Sequence, residues 1–397
     1  MPRTSLDVNK ELFDRIRKRL GQDGYSDCHQ AVYLSTELEE KNWIIEATSS
    51  IDGGYGKLSC IHSDNGIKFS ELFFNDERYI VVNRSINFEL DSALFQFEEP
   101  NAGVFTLAAW SEVVDLNESN LSILYEYFMF QDDSKLKGLA YGDLIDKECF
   151  NEFSLIKVKS LVATDLTLCR LASFILNEIA KSCHQNKIVY IDSCYSAISE
   201  LMIRGGRAIP YDIIFSGLSH FNNPKFLFLD LYRVIERLFS RVYVSTLNRL
   251  LDTQIEHDKL NKSVEKATGW RPNEESELKG LVSRLDSSIV LELYSELSKA
   301  KSLDMANDKI ERAQLELDAL ISTDSPMENI EQKRVEIFKS KATIIAERIY
   351  KIRNSMVHYR VIFDDYIKID DVYIVNSVMC VLVNKIYSLY EDELTTS

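Results

Sequence analysis

The stretch SPMENIEQKRVEIFKSKATIIAERIYKIRNSMVHYR, residues 325–360, decides how the second half of this chain is read. Ser325 offers an N-cap hydroxyl and Pro326 suits a first helical position. Glu328 stands three residues after Ser325, where a capping box needs its carboxylate. A helix is therefore predicted from Pro326 towards residue 357. Ile330, Phe338, Ala342, Ile345, Ile349, Ile352 and Met356 form its candidate core stripe, and from Phe338 onward the steps alternate between four and three. At about 100° per residue the last six members lie within about 40° of one line. Asn354 and His358 fall about 160° from that line, and Arg353 about 60° from it. The pattern predicts an amide and an imidazole together on the face away from the core, with an arginine on the flank.

Charge follows the same segment. Between Lys333 and Arg360, the eight basic residues Lys333, Arg334, Lys339, Lys341, Arg348, Lys351, Arg353 and Arg360 face only two acids, Glu336 and Glu347, in a chain whose net charge is −16. The acidic total argues against non-specific nucleic-acid binding by the whole surface. The local basic run marks one place where a polyanion is tolerated.

Around this helix the chain divides in two. Its 397 residues suggest two or three domains at roughly 150 residues each. A 45% hydrophobic and 27% charged composition excludes a disordered or fibrous protein. The 14 glycines and 6 prolines are few for this length and favour long helices. Seven scattered cysteines without a CxxC predict free thiols in a reducing compartment. The charged N-terminal stretch lacks a signal-peptide core, and no run reaches the ~18 apolar residues of a membrane span, so a cytoplasmic location without membrane contact is expected.

Residues 1–215 read as mixed α/β. A helix is predicted over Asp7–Leu20, and strand composition appears at Trp43–Thr48 and from Lys57 to Trp110. Asn65-Gly66 punctuates a hairpin between Leu58–His62 and Ile67–Phe74, and Asn75-Asp76 precedes Tyr79–Phe88. Asn101-Ala102-Gly103 precedes Val104–Trp110. These predict an antiparallel meander of four to six strands. Helices are expected at 119–130 and 165–182, the latter capped by Asp165 or Thr164, then a short strand or buried link at Lys187–Ile191. Asn222-Asn223-Pro224 marks a boundary, and residues 224–397 read as all-α: one long helix over Phe226–Leu251, then Pro272–Leu285, Ile289–Ser302, Asp304–Ile321, the helix after Pro326, and Asp371–Tyr390. The fold class is α+β, an N-terminal α/β part followed by a helical bundle.

Arg353-Asn354-Ser355-Met356-Val357-His358, near the end of a long helix in an all-α region, resembles the RNxxxH form of the Rx4–6H motif of HEPN ribonucleases. The resemblance covers roughly 224–392 and says little about residues 1–215. It implies a HEPN-like bundle and metal-independent endoribonuclease chemistry without a cofactor. RNA supplies the 2′-OH nucleophile, and cleavage leaves a 2′,3′-cyclic phosphate and a 5′-hydroxyl. His358 would move protons and Arg353 would hold phosphate oxygens, with Asn354 orienting the histidine or donating to the same phosphate. Glu236 matches the acidic residue that relatives often carry on an upstream helix. Arg348, Lys351 and Arg360 are the accompanying candidate RNA contacts. One motif histidine per chain implies a homodimer with a composite site. Many relatives are antiviral or abortive-infection effectors or toxins, so the N-terminal part is expected to sense, restrain or recruit, through an activating or inhibitory partner. The rival reading is a helical module of this type that binds without cleaving. Arg353 or His358 buried in the core, or tied up by Glu347 or Glu236, would favour that rival.

Other features read as structural. Gly53-Gly54-Tyr55-Gly56 precedes a strand and is not a dinucleotide fingerprint. Cys28-His29 and Cys183-His184 meet no zinc spacing. The charged stretch Glu256–Glu277 reads as a solvated helix pair or loop, with a mobile lid over the basic face as the alternative.

Overall fold

Two tight turns organise the sheet. Asn75 and Asp76 both take positive φ, 52° and 59°, as a two-residue hairpin turn twisted to match its strands requires. Gly66, at φ 83°, closes the preceding loop, where the Ser63 hydroxyl accepts from the Ile67 amide at 2.9 Å. The computed structural model describes residues 59–90, 93–110, 113–117, 150–159, 166–184, 189–205, 209–220, 223–239, 257–268, 273–305, 307–323, 325–357 and 367–390, with isolated positions at 42–46 and 244–255. The predicted helices over Asp7–Leu20 and 119–130 lie outside the described residues.

In chain order the elements are β1 (Cys60–His62), β2 (Lys68–Phe74), β3 (Glu77–Val82), β4 (Phe95–Phe97), α1 (Ala102–Trp110), β5 (Ser154–Val158), α2 (Leu168–His184), α3 (Val189–Arg204), α4 (Tyr211–Ser219) and α5 (Pro224–Glu236). There follow α6 (His257–Thr268), α7 (Glu274–Val282), α8 (Ser287–Leu297), α9 (Asp308–Ser322), α10 (Met327–Val357) and α11 (Ile369–Leu389). The chain combines a small antiparallel sheet with many helices, as an α+β class requires. It divides into two units, Met1–Ile175 and Leu176–Ser397. The division falls within α2, so α3 and α4 belong to the second unit.

In the first unit the sheet has the order β1-β2-β3-β5-β4, every pairing antiparallel. It is a meander only as far as β3, because β5 inserts between β3 and β4. Leu72, Phe74, Tyr79, Val81 and Leu155 line one face and pack against Val104, Leu107 and Ala108 of α1. The expected strand at Val104–Trp110 is thus a helix. Asn101, read as a turn residue, is its N-cap and accepts from the Val104 amide at 3.0 Å. A short, uniformly apolar run carries no period that separates strand from helix. Asn42, Trp43, Ile45 and Glu46 are likewise helical rather than extended.

In the second unit α11 lies at the centre, packed by α3, α5, α7 and α8. It is long and apolar enough to cross a membrane, but 72% of its apolar window is buried inside the fold, as befits a core helix. Its polar side chains anchor neighbours: Asn376 donates to the Pro224 carbonyl at 2.9 Å and Tyr387 to the Val234 carbonyl at 3.0 Å, pinning α5. At its first turn the buried Asp371 accepts from the Ser302 amide at 2.7 Å. Asn177 on α2 donates to the Tyr195 carbonyl of α3 at 2.9 Å.

Two helical expectations change. The link predicted at Lys187–Ile191 runs into α3, helical from Val189. α2 starts at Leu168, where the Thr167 hydroxyl accepts from the Arg170 amide at 3.2 Å, while the expected caps Thr164 and Asp165 lie outside the described residues. The long helix expected over Phe226–Leu251 stops at Glu236. There Leu238 and Phe239 donate to the Ile235 and Glu236 carbonyls in a tighter turn, and both side chains are buried. The apolar periodicity continues through a bend, so hydropathy alone does not reveal the helix end.

Candidate active site

α10 is wrapped by α7, α8 and α9 and touched by α5. Its buried residues are Ile330, Ile337, Ala342, Ile344, Ile345, Ala346, Ile349 and Ile352, whereas Phe338 and Met356 are half-buried. On a helical projection those buried positions cover an arc of about 200°, far wider than one stripe. Ala342, Ala346 and Ile349 extend the buried arc towards Arg353. Arg353 therefore points into the seam that α10 makes with α7 and α5, not along an open flank.

Its guanidinium meets three groups there. Nη1 donates to the Asn354 side-chain oxygen at 2.9 Å, and Nη2 lies 3.4 Å from both carboxylate oxygens of Glu274. The Tyr232 ring, on α5, lies 5.6 Å from the guanidinium carbon, within cation–π range. The Tyr232 hydroxyl in turn donates to Glu274 at 3.4 Å. The Arg353 side chain retains 19% exposure and Glu274 31%, so the cluster borders solvent. Charge-assisted hydrogen bonds of full strength run near 2.7–2.9 Å, so Glu274 holds the arginine loosely.

Glu274 is the first residue of α7. Asn273 caps the helix, accepting from the Ser276 amide at 3.0 Å, and the carboxylates of the first turn sit favourably at the positive end of the helix dipole. Glu236, at the last residue of α5, completes the electrostatics. Its carboxyl is held above the usual carboxylate range, first by desolvation and then by the Glu274 charge, against the opposing pull of Arg353 and Arg233. The Tyr232 hydroxyl is pushed up by burial and by Glu274, with Arg353 pulling the other way. A guanidinium loosely held by one carboxylate, faced by an aromatic ring and within electrostatic reach of Glu236, is a site for holding, or exchanging, an oxyanion.

Of the residues singled out from the sequence, Arg353 and Asn354 are in contact, and Glu236 lies within electrostatic reach of Arg353. Lys351 is exposed on α10, and Arg348 is half-buried on another face of the same helix. His358 and Arg360 lie outside the described residues. Glu347 pairs with Lys279 at 3.0 Å, not with the motif. Sequence reading missed Glu274 and Tyr232. An Asn-Glu-Glu start to a helix was the only signal for Glu274, and nothing along the chain joins it to an arginine 79 residues later. In comparisons with known proteins the chain matches no family model, no curated protein and no solved structure.

Proposed function

We propose that the second unit is a HEPN-like helical module acting as a metal-independent endoribonuclease. The observation that carries the reading is the convergence of Arg353 and Asn354, at the end of a basic helix, with Glu274 and Tyr232 in a solvent-bordered seam within electrostatic reach of Glu236. In this reading an RNA phosphate displaces the loosely held Glu274 carboxylate from the guanidinium. Arg353 then stabilises charge on the phosphorane-like transition state. His358 moves the proton of the attacking 2′-OH or of the leaving 5′-oxygen, and the product is a 2′,3′-cyclic phosphate. Two chains in a homodimer supply an acid and a base to one composite site. The first unit senses or restrains, and the cellular role is that of an effector or toxin in antiviral defence.

The test incubates purified protein with total RNA and with tRNA, with and without EDTA, beside Arg353→Ala and His358→Ala. EDTA-resistant cleavage lost in both variants is expected. Mixing His358→Ala chains with wild-type chains tests the composite site, which predicts less than full activity per wild-type subunit. One observation favours the second reading, a binding module without cleavage: Arg353 is ion-paired and stacked within its own chain. RNA binding without cleavage or toxicity on expression would establish it.

A further inference from the structure

Among the described residues, two cations on α10 stand without a counter-ion. Lys341 and Arg348 are seven residues apart, so they lie on one line of the helix, about 140° around it from Arg353. The Lys341 ammonium sits 5.1 Å from the centre of the Tyr294 ring on α8, and Arg348 bears on the same phenol, lowering its pKa against burial and Glu311. Tyr294 is fixed by donating to the Met305 carbonyl at 2.8 Å. Both basic side chains are half-buried, yet among the described residues neither makes an ion pair. Lys341 is desolvated, with no carboxylate to compensate, and the Arg348 Nε is fully buried with no hydrogen-bond partner. Glu311, exposed on α9, is the acid that bears on Tyr294, and among the described residues it pairs with neither cation.

A chain with 62 acidic residues has ample means of neutralising two basic ones. Leaving two half-buried cations unpaired around one aromatic ring costs stability unless an external anion completes the site. We propose that Lys341 and Arg348, flanking Tyr294, form a phosphate-binding site distinct from the Arg353 cluster. Lys341 contributes a point charge and Arg348 a planar fork suited to two phosphate oxygens. The phosphate is that of an RNA strand, gripped away from the scissile bond. That source rests on the proposed RNA substrate, while the anion chemistry does not. Arg348 and Lys341 lie about 8 and 18 Å along the helix from Arg353, a span of a few nucleotides.

The experiment compares wild type with Lys341→Gln/Arg348→Gln and with the charge-keeping Lys341→Arg/Arg348→Lys. The probe is a 2′-O-methylated oligouridine, which 2′-OH chemistry cannot cleave, so the result is independent of whether the protein is a nuclease. Inorganic phosphate and AMP serve as free-phosphate arms, read by thermal shift. The glutamine pair is expected to bind the oligonucleotide about tenfold more weakly. Its salt slope should fall by about 1.4, roughly 0.7 for each lost phosphate contact. The charge-keeping pair should restore most of the affinity. Stabilisation of wild type, but not of the glutamine pair, by phosphate or AMP with unchanged oligonucleotide binding would keep the site and assign it to a free nucleotide. Equal affinity, equal salt slope and equal thermal shifts in all three proteins would overturn the proposal. Should the glutamine pair fail to fold, Lys341→Gln alone is read the same way, with a slope change of about 0.7.

Discussion

Arg353 and Glu274 meet at 3.4 Å across 79 residues of chain, in a seam where Tyr232 covers the guanidinium and Glu236 stands nearby. The pair is partly exposed, so its own contribution to stability is about 1 kcal/mol or less. Glu274→Gln should therefore lower the melting temperature little. It should tighten RNA binding several-fold, because it removes a negative charge and frees the guanidinium. Arg353→Ala should reduce cleavage by about 100-fold or more, the usual cost of losing a transition-state donor. Fluorescence anisotropy and gel-based cleavage assays check both.

Glu236 gives the same cluster an electrostatic signature. Glu274 raises its pKa and Arg353 lowers it. Glu274→Gln should move the Glu236 carboxyl down towards its ordinary value, and Arg353→Ala should move it further up. Carboxyl-carbon NMR titration reads the opposite signs directly. A shift of the same sign in both variants would mean that the three groups do not share one site.

Glu277, one turn beyond Glu274 on α7, is buried and its carboxyl is pushed up to about 7, by desolvation against the opposing pull of Arg284. The folded chain then holds a proton that the unfolded chain loses above about 4.5, the ordinary value. Stability from this group is full below that point, falls as pH rises towards 7, and stays reduced above it. Glu277→Gln should remove this slope and leave the variant more stable at pH 8 by on the order of 2 kcal/mol. Urea denaturation at pH 4.5, 6 and 8 measures it.

Gly103 in α1 faces the sheet so closely that an added Cβ would lie 2.6 Å from the Trp43 carbonyl oxygen and 2.8 Å from the Phe74 ring. Gly103→Ala should destabilise the first unit by about 1–3 kcal/mol through overpacking, despite the better helix propensity of alanine. Thermal unfolding followed by circular dichroism would show it.

Cys194 on α3 and Cys380 on α11 place their sulfurs 2.7 Å apart inside the second unit, whereas Cys60 and Cys183 are exposed. Burial holds the Cys380 thiol well above its ordinary value. Iodoacetamide on the native protein should label Cys60 and Cys183 and spare Cys194 and Cys380, which react only in denaturant. Peptide mass spectrometry distinguishes the two pairs.

Much of this was legible along the chain because it is local. Asn65-Gly66 and Asn75-Asp76 announce turns through backbone conformations that few residues adopt, and the Pro326 start and four-three spacing announce α10. Such signals act within a few residues, where sequence distance and spatial distance agree. Val104–Trp110 and the bend after Glu236 were not legible, because an apolar run reports burial without reporting geometry. The partner of Arg353 was hidden for a different reason. A helical wheel tells which way a side chain leaves its own helix, but not what other helix lies there. α5 and α7 close over the arginine only when both are docked on α10 and α11. Local propensity thus determined the elements and the basic helix of this protein. Which carboxylates and which aromatic ring surround its guanidinium was decided by packing between segments far apart in sequence.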